Sequence, residues 1–300
     1  MKKKTYLIAL MAMALTLGSC SDNENGIGGE TSKYITVSTS IGNMTRVATD
    51  ANGAQTFEEG DEISVYAWTG ASTVAPETSE RVVNNAINKL TNGAWVATPQ
   101  MLWKNNRDKH YFIGVYPTAA ISDLSAGEYT FDANKQTESD LLVAVNPDGL
   151  SYSADAQQTV PLTFTHVMAK LAVNLTYKNQ WGGIPTVEKV VVGNAAKEAT
   201  INYLTKVVTP STTAKEDFSL PEITENTKYV SVIIPQEEVK QLTIVIGGKN
   251  FVYDNGTPFK LESGKITTVN LEVGRDEIKL GDVKITDWED GSTFSGEAIN

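Results

Sequence analysis

From Tyr34 to Val273 the sequence is a succession of strand-length apolar runs punctuated by turn signals, a pattern that leaves little room for anything but β-sheet. Tyr34–Ile41 is rich in β-branched residues, and Glu62–Trp68 places Ile63, Val65 and Ala67 on one face. His110–Tyr116, Asp140–Val145, Ala169–Tyr177, Lys189–Val192, Tyr229–Ile234, Leu242–Ile246 and Lys265–Val273 are further runs of strand length. Asn92-Gly93, Pro147-Asp148-Gly149, Gly182-Gly183, Gly247-Gly248 and Asn255-Gly256 supply turns between them. One segment reads two ways: Val82, Val83, Ala86, Ile87 and Leu90 within Ser79–Leu90 fit helical spacing, and fit a buried strand nearly as well. The polar link 151–160 and the fresh pattern from Pro161 put a domain boundary near residue 168. The expected fold is all-β, with two β-sandwich domains in tandem, 34–168 and 169–300.

The N-terminus reads as an address. Lys2, Lys3 and Lys4 precede an apolar stretch, Tyr6–Leu17, too short to span a bilayer as a helix. It ends in Leu17-Gly18-Ser19-Cys20, which resembles a bacterial lipobox, so residues 1–20 are expected to be a lipoprotein signal peptide with Cys20 acylated. The alternative is an ordinary secretory signal in which Cys20 is incidental. Cys20 is the chain's one cysteine, which excludes an intrachain disulfide and casts it as an anchor rather than a nucleophile. Ser21 stands where an aspartate would retain a lipoprotein in the inner membrane. Asp22 and Glu24 are similar to the acidic export signal of surface lipoproteins in some Gram-negative anaerobes. Residues 21–33 are polar and Gly-rich, a flexible tether. The expected location is the outer membrane, lipid-anchored and surface-exposed.

Charge and motifs narrow the function. The net charge of −11 becomes −14 once Lys2, Lys3 and Lys4 leave with the signal, which argues against nucleic acid and against docking on anionic membranes. No Walker-type loop, HExxH or GxSxG is present, and the glycines at 26–29 lie in the tether before any strand. Asp50-Ala-Asn52-Gly and Asp132-Ala-Asn134 lack the further acidic ligands of a calcium loop and read as turns. The two histidines are His110 and His166. His166 reads as a hydrogen-bonded packing residue near the domain junction, with general base as the competing role. Trp68, Trp95, Trp103, Trp181 and Trp288 would serve a sugar platform if exposed, and core or edge caps if not. No catalytic, cofactor or metal residue is assigned. A hydrolase would need a cleft with two carboxylates about 5–10 Å apart.

Several ordered segments carry a family resemblance. Phe57-Glu-Glu-Gly60-Asp61-Glu-Ile63-Ser-Val65, Trp103 with Tyr111-Phe112-Ile-Gly-Val-Tyr116-Pro117, and Asp140-Leu-Leu-Val-Ala144 are similar to segments of fimbrillin-like lipoproteins, subunits of type V pili. Leu162-Thr-Phe164-Thr-His166-Val-Met-Ala169-Lys170-Leu171 is the most specific piece, and Ile234-Pro235-Gln236 and Ile285-Thr-Asp-Trp288 follow in order. The resemblance spans roughly residues 34–290. It implies two Greek-key, transthyretin-like sandwiches and export as a lipoprotein. It also implies removal of the first strand by an arginine-specific protease, and filling of the groove by a strand from another pilus subunit. In this sequence the cleavage would fall at Arg46–Val47, freeing 34–46 with the anchor. A C-terminal donor would use Ile278, Leu280, Val283 and Ile285, with Gly281 resetting the register, and further residues from Phe294 to Ile299. The same segment also reads as the last strand of the second sandwich, the preferred reading for Val283–Trp288, which would make the chain a tip or minor subunit rather than a stalk repeat. Expected partners are pilus subunits, in a homo- or hetero-polymer, and a host or bacterial surface glycan or protein. The alternative function is a surface-anchored glycan-binding lipoprotein that does not polymerise.

Overall fold

In a computed structural model the described residues are 33–42, 57–153, 158–254 and 256–288. Among them, nineteen strands and two single-turn 3-10 segments, Thr78–Glu80 and Asn179–Trp181, are formed, so the protein is all-β. A seven-stranded sheet holds β1 (Thr36–Ile41), β8 (Thr159–His166), β7 (Leu142–Leu150), β5 (His110–Tyr116), β2 (Glu62–Thr69), β3 (Val83–Thr91) and β4 (Ala94–Thr98), in that spatial order. A five-stranded sheet runs β14 (Glu222–Thr224), β15 (Lys228–Ile233), β9 (Ala169–Tyr177), β18 (Lys265–Val273), β19 (Ile278–Asp287). A four-stranded sheet runs β13 (Lys215–Ser219), β10 (Val187–Ala196), β16 (Gln241–Ile246), β17 (Lys249–Asp254). In a three-stranded sheet, β12 (Val207–Pro210) and β11 (Glu198–Asn202) pair with β6 (Gly127–Thr130). Two ladders are parallel, β1 with β8 and β9 with β18, and the rest are antiparallel.

The ambiguous segment 79–90 is a strand after a 3-10 turn, and its helix-like spacing has a local cause. The β2–β3 register shifts between Val65/Ala86 and Ala67/Val83, so a bulge at Asn84-Asn85, with Asn85 at φ 56°, sets Val83 and Ala86 three apart on one buried face. Pro147-Asp148-Gly149 is not the turn expected of it but part of β7. There the ladder to β5 shifts between Phe112/Asn146 and His110/Leu150, and Gly149 sits at φ 65° with its N–H on the Asn146 side chain. A Cβ at Gly149 would lie 2.8 Å from the Tyr111 ring. Asn92-Gly93 and Gly247-Gly248 do join tight hairpins, β3–β4 and β16–β17.

Two cores explain why some strands alternate and others do not. One face of the seven-stranded sheet encloses Ile35, Val37, Ile63, Val65, Phe112 and Phe164 with their neighbours. Its other face contributes Tyr66, Trp68, Ile113 and Val115 to a larger core that continues through Val173, Val190, Ile244 and Val269. β2 and β5 are therefore covered on both sides and read as nearly unbroken apolar runs.

Candidate functional site

β1 is the place where the first sheet closes on itself. From Ile35 the chain alternates strictly: Ile35 and Val37 are buried, Thr39 and Ile41 are half-buried inward, and Ser38 and Ser40 are exposed. On one flank β1 pairs with β8 from Thr36↔Thr159 to Ile41↔Phe164, and Gly42 extends the ladder by donating to the Phe164 carbonyl at 2.7 Å. Hydroxyl pairs line the outer face of this ladder, Thr36 with Thr159 at 3.3 Å and Ser40 with Thr163 at 3.2 Å. On the other flank the Ile35 N–H donates to the Met101 carbonyl at 2.9 Å, the Trp103 N–H donates to the Lys33 carbonyl at 3.2 Å, and Tyr34 bridges Leu102. Trp95, on β4, donates its indole N–H to the Thr39 hydroxyl at 3.0 Å. Residues 33–41 thus lie over the first core between β8 on one side and the 101–103 segment and Trp95 on the other.

The end of β1 rests on a row that crosses the sheet: Ile41, Phe164, Ala144, Gly114, Val65 and Ala86 are successive cross-strand neighbours. Gly114 has no room for a side chain because the Phe164 ring lies against it; a Cβ there would stand 2.6 Å from its Cζ. Phe57 caps the row, meeting Trp95, Tyr116 and Phe164 edge-on at 5.3, 5.4 and 5.1 Å. Beside it opens a cavity of about 620 Å³, lined among others by Ile41, Phe57, Tyr116, Leu142, Ile223 and Val230. The Tyr116 hydroxyl is held above the usual phenol range, first by burial and then by Asp61.

A second cluster lies at the same end of the sheet. His166 Nδ1 and Asp140 Oδ1 are 2.8 Å apart, and the Trp288 ring stacks on the imidazole at 4.0 Å with an interplanar angle of 8°. Lys170 places its ammonium 4.0 Å from the Trp288 ring centre, a cation–π contact. The backbone N–H of Trp288 donates to the Gly264 carbonyl at 3.0 Å. With its ring face covered by indole and its side chain only 4% exposed, His166 presents no face to a substrate; its role is packing.

The four candidate donor residues lie on β19, an edge strand. Ile278 faces Val273 and Leu280 faces Leu271, both half-buried against the larger core. The register then slips by one at Gly281, between Asn270/Asp282 and Leu271/Leu280. Val283 and Ile285 follow, 39% and 41% exposed. Cys20, Arg46 and Val47 lie outside the described residues, as do Asp50, Asn52 and the segment from Phe294 to Ile299. Asp132 caps a turn by accepting the Asn134 N–H at 2.9 Å. Trp68 and Trp288 are buried and the other three tryptophans are half-buried, so none lies open as a platform. Among the described residues no group of three His, Cys, Asp or Glu side chains is placed to hold a metal ion.

Sequence reasoning passed over Arg81. It is 9% exposed, donates to the carbonyls of Ile121 and Ser122 at 2.6 and 2.5 Å, and lies 5.4 Å from the centre of the Tyr66 ring. The signal available in sequence was only its place directly before Val82-Val83.

A sequence model described as fimbrillin-like matches residues 45–288. No match is found among curated proteins. Among solved structures, a candidate cell adhesion protein from Bacteroides uniformis shares 18% identity and a TM-score of 0.61, with 85% of this chain and 98% of that chain covered. A candidate cell adhesion protein from Bacteroides ovatus gives 18% and 0.62 with the same coverage. A fimbrial protein from Bacteroides vulgatus gives 13% and 0.52, covering 84% of this chain and 99% of the other.

Proposed function

The chain belongs to the fimbrillin-like family, and on that premise we propose that it is a pilus subunit activated by exchange of its first strand. The family consists of fimbrial structural proteins, so the chain is a cell-surface pilus component and not an enzyme. In the finer reading it is exported as an outer-membrane lipoprotein on Cys20. It is built from two successive sandwich units, 34–168 and 169–300, and is cut between Arg46 and Val47. The cut removes β1 together with the lipid anchor, and a strand from another subunit takes its place, leaving the assembled pilus to adhere to a surface glycan or protein.

The observation that carries this reading is the position of β1. It is the sheet's terminal strand, it and the residue before it bury Val37 and Ile35 in an apolar core, and only the four residues Gly42 through Thr45 separate its end from Arg46. Losing it would leave the β8 edge and the Met101–Trp103 segment without backbone partners above an open groove, a costly state that a foreign strand relieves by β-augmentation. Removal of the competing intramolecular strand makes the exchange directional. Trp288, stacked on His166 beneath Lys170, supports keeping Val283–Trp288 as this chain's own last strand. The half-buried tryptophans give the anchored glycan binder no support.

Digestion of the soluble precursor with an arginine-specific protease tests the reading. The expected result is a new N-terminus at Val47, with buried Arg81 uncut. A precursor that stays intact at Arg46 while Arg107 or Arg275 is cleaved would contradict it.

A further inference from the structure

Resting on the strand-exchange reading, we infer that the groove under β1 accepts a strand of defined pattern from a different protein, not the C-terminal segment of a second copy of this chain. Trp95 is the residue that reads the incoming strand.

The groove's requirements are those β1 meets. Four side chains point inward at spacing two. The first two, Ile35 and Val37, are buried and apolar. The third, Thr39, is set by Trp95: its hydroxyl accepts the indole N–H at 3.0 Å. A half-buried indole N–H without an acceptor loses that bond and is not fully rehydrated, so this position favours a hydroxyl over an isosteric methyl. The fourth, Ile41, packs in the row with Phe164 and lines the cavity beside Phe57. The outward positions are hydroxyl-bearing, because Thr36 and Ser40 meet Thr159 and Thr163 across the ladder. Gly42 follows, where a Cβ would lie 2.9 Å from Thr163 Cγ2, so the next residue must be small or Thr163 must turn. The partner strand is therefore large-apolar, Ser or Thr, β-branched, any, Ser or Thr, Ser or Thr, Ile-like, then small.

This chain's own C-terminal segment does not supply that pattern. Between Glu277 and Asn300 two frames begin with two large apolar residues at spacing two. One reads Ile278, Leu280, Asp282, Lys284, and the other Val283, Ile285, Asp287, Glu289. Each sends two charged side chains inward, the fourth of them to the place of Ile41. Burying charge without a partner is strongly unfavourable. The alternation that makes β19 a good edge strand depends on the slip at Gly281, with Ile278 and Leu280 on one side of it and Val283 and Ile285 on the other. β8 offers β1 an unbroken ladder with no such slip. A homopolymer built by passing β19 from copy to copy is thereby disfavoured, and a heterologous donor is selected.

The test is labelled-peptide exchange into the full-length soluble chain after cleavage at Arg46, followed by fluorescence anisotropy and by mass spectrometry of the complex. Should the native arginine resist, a site for a different specific protease placed between Thr45 and Val47 releases the same strand. A peptide of residues 34–42 is expected to enter the groove. Its Thr39→Val form is expected to bind about tenfold more weakly. A peptide of residues 277–288 is expected to bind at least about a hundredfold more weakly. In the Trp95→Phe protein the two forms of the 34–42 peptide should bind alike, a coupling that a purely structural role for Trp95 would not produce. Equal binding of the 277–288 and 34–42 peptides overturns the heterologous donor while leaving strand exchange intact. A Thr39→Val penalty that persists in Trp95→Phe overturns the role of Trp95. Entry of neither peptide overturns strand exchange itself, and the inference with it.

Discussion

Replacing Ile35 by alanine should cost far more than replacing Ser38, although both sit on the same short edge strand. Ile35 is 1% exposed and packs in the first core, whereas Ser38 is exposed on the outer face. The substitution deletes about three methyl or methylene groups at ~0.8 kcal/mol each, to which a residual cavity adds a further contribution. Because β1 is a terminal strand, its neighbours can partly collapse, and the expected total is about 3 kcal/mol. Ser38→Ala should fall within about 0.5 kcal/mol of the parent. Urea unfolding of the chain from residue 21 onward would measure both. With a slope of about 2–3 kcal/mol/M, Ile35→Ala should move the midpoint down by roughly 1 M and Ser38→Ala scarcely at all. Similar midpoints for the two variants would refute the assignment of inward and outward faces on β1, and with it the claim that this strand seals the core.

Three further outcomes follow from named contacts. Gly114→Ala places a methyl group 2.6 Å from Phe164 Cζ and should destabilise by about 1–3 kcal/mol in thermal unfolding, an effect that Phe164→Leu in the same chain should reduce. Trp288→Ala removes the stack on His166 and the contact with Lys170, and should cost about 3–5 kcal/mol, with hydrogen exchange in β19 rising more than exchange in β2 or β5. His110 is held below the ordinary histidine pKa, chiefly by burial, with Nε2 accepting the Lys104 N–H at 3.1 Å and Nδ1 facing the Asp108 carbonyl at 3.1 Å. The unfolded chain therefore takes up this proton more readily than the folded one. Stability contributed by neutral His110 is complete above the ordinary histidine pKa and is lost as pH falls through that range toward the lower folded value. His110→Gln should flatten the loss of stability between about pH 7 and 5.

The fold class was legible because period two and the turn residues act locally, and strands such as β9, β5 and β18 begin and end where the runs do. Two readings, the open one at 79–90 and the turn at 147–149, have a common physical cause: a bulge breaks the period on which the reading depends. The slip at Asn84-Asn85 imitates helical spacing in β3, and the one at Gly149 imitates a turn inside β7. Alternation also vanishes where a strand is buried on both faces, as in β2, so the Tyr66 and Arg81 contacts beneath it left almost no trace in the sequence. The cluster of Asp140, His166, Lys170 and Trp288 was present only as separate segments of the family resemblance. Their convergence depends on the pairing of β7 with β8 and on the end of β19, contacts too distant along the chain for any local pattern to encode. The closure by β1 was legible in part. Its alternation marked a first strand, but the hydrogen bond from Trp95 to Thr39 spans 56 positions.

The central claim is that β1 is a replaceable strand whose departure opens the groove beside β8. Amide hydrogen exchange across Thr159–His166, read by mass spectrometry before cleavage, after cleavage and after assembly, tests it most directly. Protection should be high in the precursor, fall sharply once the chain is cut at Arg46 and the strand has left, and return when a donor strand occupies the groove. Protection of β8 that is unchanged through all three states would contradict the account.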